Sequence, residues 1–105
     1  MTVPAMWRID IIRGQALDIE VTVPDGVDLT QATAEFGIAP EDNKPYSVML
    51  PASIAGQVIT AELSGTESAL LTLPRHYYSC WIVVAGDPTP VARGYFRIDS
   101  DSRNR

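Results

Sequence analysis

Short runs of alternating apolar and polar residues, each closed by a turn residue, constrain this 105-residue chain more than any other feature. A period of two matches the pleat of a half-buried β-strand, and many such runs at short intervals are the pattern of a sandwich or barrel. Trp7, Ile9 and Ile11 alternate with Arg8, Asp10 and Ile12 ahead of Arg13-Gly14. Leu17, Ile19, Val21 and Val23 alternate with Asp18, Glu20 and Thr22 before Pro24-Asp25-Gly26. Ala32, Ala34, Phe36 and Ile38 form a third inward row, and Ile59, Ala61 and Leu63 another within Gln57 to Leu63. A weaker strand is expected at Tyr46 to Leu50, closed by Pro51. The last two, Tyr77 to Val84 and Val91 to Asp99, are joined by Gly86-Asp87-Pro88-Thr89-Pro90. About seven antiparallel strands are expected.

One segment breaks the period. Ser64-Gly65-Thr66-Glu67 fits a capping box, in which Ser64 and Glu67 satisfy each other's backbone donors. Leu70, Leu71 and Leu73 follow and Pro74 ends the run, so a short helical turn near residues 65–72 plugs one end of the sandwich. The length suits one domain, expected over residues 1–99, with a polar and mobile tail at 100–105. At 46% apolar and 20% charged residues, a packed core is within reach.

The charge balance limits the partners. The net charge is −5, and the eight Lys and Arg are scattered rather than gathered in a stripe, so nucleic acid is not an expected partner. The longest apolar run, Cys80 to Ala85, is far short of the roughly 20 residues that cross a bilayer, and no signal peptide is visible at Met1-Thr2-Val3-Pro4. A single cysteine, Cys80, excludes an intrachain disulfide and a multi-thiolate metal site.

Catalytic chemistry finds no support. His76 and Cys80 share a strand face at a separation of four, about 13 Å, which is too far for a direct hydrogen bond. Cys80 is therefore expected to be a buried structural thiol. Glu41-Asp42-Asn43, Asp25-Gly26-Val27-Asp28 and Asp99-Ser100-Asp101 are acidic, but each lacks the further oxygen ligands of a calcium loop. Gly14, Gly37 and Gly94 stand singly, so no phosphate-binding loop is present. No cofactor and no metal are expected.

The aromatic residues point towards binding. Tyr78 precedes Cys80 by two residues at the start of a late strand, where immunoglobulin-like sandwiches place a tyrosine corner. Its hydroxyl is expected to meet backbone around Thr66 to Leu71. In this phase Tyr78, Cys80, Ile82 and Val84 face the core together with Phe36. The opposite face then carries Tyr77, Ser79, Trp81 and Val83, and the next strand adds Arg93, Tyr95 and Arg97. Tyr, Trp and Arg are the side chains enriched at binding hot spots, so Tyr77, Trp81, Val83, Arg93, Tyr95 and Arg97 form a candidate protein interface. The opposite phase would make Trp81 a core residue. The fold class expected is an all-β, immunoglobulin-like sandwich.

Three stretches also carry a resemblance. They are Ile12-Arg13-Gly14 leading into Leu17 to Val23, Asp28 to Thr33 leading to Phe36 and Ile38, and Leu63-Ser64 through Leu73-Pro74 and Tyr78 to Arg93-Gly94-Tyr95-Phe96. In this order the chain resembles a family of phage structural domains, similar to the N-terminal domain of phage baseplate upper proteins. It departs from the family at Arg75, where glycine commonly follows the proline. The resemblance implies a non-enzymatic baseplate, tail or head accessory protein, made in the cytoplasm of a bacterial host. It also implies association with other virion proteins or with itself. A carbohydrate-binding module that stacks sugars on Trp81 with Tyr77 or Tyr95 is the rival expectation, and a small hydrolase ranks behind both.

Overall fold

A computed structural model describes residues 2–24, 26–41 and 45–99. Along the chain these form β1 (Thr2–Pro4), β2 (Arg8–Ile12), β3 (Leu17–Thr22), β4 (Ala32–Ala39) and β5 (Val48–Leu50). Then come β6 (Ala52–Ala55), β7 (Val58–Leu63), α1 (Gly65–Ala69), β8 (Arg75–Val84) and β9 (Asp87–Asp99). Strands β1-β3-β7-β6 make one sheet and β2-β9-β8-β4-β5 the other. The expected tail at 100–105 lies outside the described residues.

The alternation sorts side chains between core and surface as the pleat demands. Leu17, Ile19 and Val21 of β3 and Ile59, Ala61 and Leu63 of β7 turn inward from the first sheet. Phe36, Ile38, Tyr78, Cys80, Ile82 and Phe96 meet them from the second. Tyr78 stacks flat on Phe36, with centroids 5.2 Å apart, and lies tilted against Phe96 at 5.3 Å. Burying rings of this size is the largest single contribution to such a core.

Four expectations need correction. There are nine described strands rather than about seven, and two pairings are parallel: β1 with β3 and β2 with β9. The extra strands, β1 and β6, have only three and four residues, too short to show a period. Pro51 closes β5 as expected and links it to β6, its carbonyl accepting the Glu62 N–H at 3.0 Å. Residues 87–90 are strand rather than loop, because Ala85-Gly86 alone makes the turn. Both have positive φ, 51° and 85°, as the twist of a two-residue hairpin favours. Pro88 and Pro90 are tolerated there because β2 pairs with β9 only from Tyr95 onward, which leaves their outer edge unpaired.

Trp7 is the third correction. Its side chain is 66% exposed, whereas Ile9 and Ile11 are buried. It sits in the bend where the chain passes from the first sheet to the second, so the period of β2 does not reach it. The fourth is the partner of Tyr78, whose hydroxyl donates to the Met6 carbonyl in that same bend rather than to residues 66–71. Gly94 permits the approach, since a Cβ there would lie 2.7 Å from the Met6 oxygen and 2.6 Å from that of Trp7.

The helix ends are satisfied locally. Ser64 Oγ accepts from the Glu67 N–H and Glu67 Oε1 accepts from the Ser64 N–H, both at 3.1 Å. Beyond the helix, the Arg13 guanidinium donates to the carbonyls of Leu71 (3.0 Å) and Thr72 (3.1 Å). Leu71 is fully buried, so the segment does close one end of the core.

Candidate interaction surface

The residues singled out as an interface come together on the outer face of the five-stranded sheet. Register places Tyr77 opposite Tyr95, Ser79 opposite Arg93 and Arg75 opposite Arg97 across β8 and β9. A β-bulge between Cys80 and Trp81 resets the count, so Trp81 faces Pro90 and Val83 faces Pro88. Tyr77, Trp81, Val83 and Tyr95 are half-buried, and Arg93 and Arg97 are exposed. Tyr78 and Cys80 point the other way, into the core.

Two aromatic groups stand on this face. In the first, the Trp7 and Tyr95 rings meet edge to face at 6.0 Å and 86°, and Tyr77 lies tilted 6.1 Å from Tyr95. The Arg75 guanidinium sits 4.3 Å above the Tyr95 centroid, in cation–π geometry. Interaction with the Tyr77 hydroxyl shifts the Arg75 pKa upward, which keeps the charge in place. Trp7, Arg75, Tyr77, Ser79, Arg93 and Tyr95 line a shallow groove of about 350 Å³.

In the second group the Trp81 indole N–H donates to the Tyr46 hydroxyl at 2.8 Å. The Tyr46 ring covers Gly37 so closely that a Cβ at Gly37 would lie 2.5 Å from it. Met49, 50% exposed and paired with Gly37, extends the apolar surface towards the sheet edge. Trp7, Arg75, Tyr46 and Met49 were not among the expected face residues. Gly37 was the available sign of Tyr46, because a lone glycine inside a strand often marks a close approach.

Surface ion pairs frame the groups. Arg8 Nε lies 3.1 Å from Asp10, and Arg97 lies 3.6 Å from Asp99, all with about half their side-chain surface in solvent. Pairs of this kind contribute little stability but shape the local field.

The groups with chemical potential elsewhere are held in structural roles. Burial pushes the Cys80 thiol up to about 11, away from the thiolate a nucleophile requires. His76 is buried, its Nε2 accepts the Leu73 N–H at 3.2 Å, and burial with the nearby Arg13 charge lowers its pKa. Among the described residues, no three of His, Cys, Asp and Glu converge as metal ligands would.

No family model matches the sequence, and no curated protein matches it. Among solved structures, the crystal structure of the titin M3 domain is similar, with a TM-score of 0.53 and 14% identity. The match covers 93% of this chain and 88% of that one. The chain is an immunoglobulin-like β-sandwich. At such identity the likeness is one of fold, and function must be argued from the surface.

Proposed function

We propose that this sandwich is a non-enzymatic association module, serving as a structural or assembly part of a phage or prophage particle. The observation that carries the association is the face built from Trp7, Tyr77, Tyr95, Trp81 and Tyr46 with arginines among them. Such a face combines apolar area with donors that stay wet until a partner covers them. Support for the particle comes from the three stretches that resemble phage baseplate domains, two of which meet in space. Arg13 of the first holds the carbonyls of Leu71 and Thr72 in the third.

The reading is tested in particles purified after induction or infection of a host that encodes the chain. The chain should be present at fixed stoichiometry, and Trp7→Ala/Tyr95→Ala should be excluded from particles while remaining folded. Particles that lack the wild-type chain would overturn the proposal. The groove beside Tyr95 favours one rival, since paired rings with an adjacent arginine could stack and hold a sugar. In that case the same variant would lose glycan binding and still enter particles.

A further inference from the structure

The two outer faces of the sandwich differ in charge, one purely acidic and the other mixed with a small excess of arginine. On the four-stranded sheet the outward residues of β3 are Asp18, Glu20 and Thr22, and those of β7 are Val58, Thr60 and Glu62. β1 contributes Thr2 and Pro4, and β6 contributes Ser53 and Ala55. Among the described residues this face holds three carboxylates and no cation. Register sets Asp18 directly opposite Glu62, a like-charge pair that weakens a sheet in isolation. On the five-stranded sheet the outer face carries Arg8, Arg75, Arg93 and Arg97, four of the five described Lys and Arg residues, beside the carboxylates Asp10, Glu35 and Asp99, of which Asp10 and Asp99 lie against Arg8 and Arg97.

We propose that the arginine and aromatic face of one copy docks on the Asp18, Glu20 and Glu62 face of a second copy, head to tail. The inference rests on the association reading and names the partner surface. A cation from the docking copy would relieve the Asp18–Glu62 repulsion, and Thr60, Val58 and Ala55 offer small neighbours against which rings can lie. The contact is heterologous, so repeating it gives a ring or a filament rather than a closed dimer.

Five strands about 4.8 Å apart, each with some six residues at about 3.3 Å, present roughly 400 Å² of projected face. That is small for a permanent interface, so the contact is weak in free solution and strengthened by local concentration in an assembly. Charge contributes much of its specificity, which makes it salt-sensitive.

Sedimentation velocity of the full chain tests this at about 50 mM and about 500 mM salt. Wild type should show concentration-dependent oligomers larger than dimers at low salt that dissociate at high salt. Asp18→Asn/Glu62→Gln, which removes the like-charge pair and so keeps the fold, should weaken association about ten-fold. Arg75→Ala/Tyr95→Ala should do the same from the other side. An equimolar mixture of the two variants should form a one-to-one dimer and nothing larger, because only one productive contact remains. Association unaffected by Asp18→Asn/Glu62→Gln would overturn the proposal, as would wild type that stays monomeric at both salts. Particle incorporation without self-association would leave the association module standing and remove this partner alone.

Discussion

Replacing Tyr78 with phenylalanine isolates one hydrogen bond between residues 72 positions apart. The ring keeps its stack on Phe36 and its contact with Phe96, so apolar burial is nearly unchanged. What disappears is the donor to the Met6 carbonyl, in a position where Tyr78 is only 2% exposed. The net value of such a bond is about 1 kcal/mol, and an acceptor stripped of its partner adds up to about 1 more. For a domain of this size each kcal/mol shifts Tm by about 4–8 °C, so a fall of about 4–16 °C is expected. The loss should also be local. The Met6–Trp7 bend is held by the hydroxyl and by the Tyr95 N–H donating to the Trp7 carbonyl at 2.9 Å. Hydrogen exchange at the Tyr95 amide should therefore accelerate beyond the global change. Alkaline titration gives a second signature. Burial raises the Tyr78 phenol from 10.0 to about 12, so the folded state retains a proton that the unfolded chain releases. That stability is fully present below about pH 10 and is lost as pH rises towards 12; Tyr78→Phe should flatten this limb. A Tm within 1 °C of wild type, with unchanged Tyr95 exchange, would refute the clasp.

Three further outcomes are expected. Cys80 should react with a thiol reagent only after unfolding, and Cys80→Ser should cost about 1–3 kcal/mol in urea melts, since the core offers the hydroxyl no assured partner. Gly37→Ala should evict the Tyr46 ring and break its bond with Trp81, changing indole fluorescence while the far-UV spectrum is kept. Burial lowers the His76 pKa below 6.5, so the unfolded chain takes up the proton first, and stability should fall as pH drops below about 6.5; a profile that stays flat there would contradict its buried role.

The long strands were legible in the sequence because their periods run for six or more residues. In β3, β4, β7 and β8 the inward and outward rows emerged as read, including Phe36, Tyr78 and Cys80 in the core. Antiparallel register then carries Tyr77, Trp81, Val83, Arg93, Tyr95 and Arg97 to one surface. What could not be read depends on chain segments meeting across space. Trp7 joins that surface because Gly94 lets the bend approach, and Tyr46 joins because Gly37 leaves room. β1 and β6 were invisible for a simpler reason, since three or four residues carry no period. Tyr78 was correctly turned inward, but its partner lies in a bend that no local spacing encodes.

The pairing of β2 with β9 joins Arg8–Ile12 to Tyr95–Asp99, near the two extremes of the described chain. Because these neighbours run parallel, opposing pulls on the leading end of β2 and the trailing end of β9 act along the strands. Five register positions then share the load and must yield together instead of opening one at a time. A pull from the start of the chain reaches this pair through β1, whose three parallel positions on β3 are loaded in the same shearing sense.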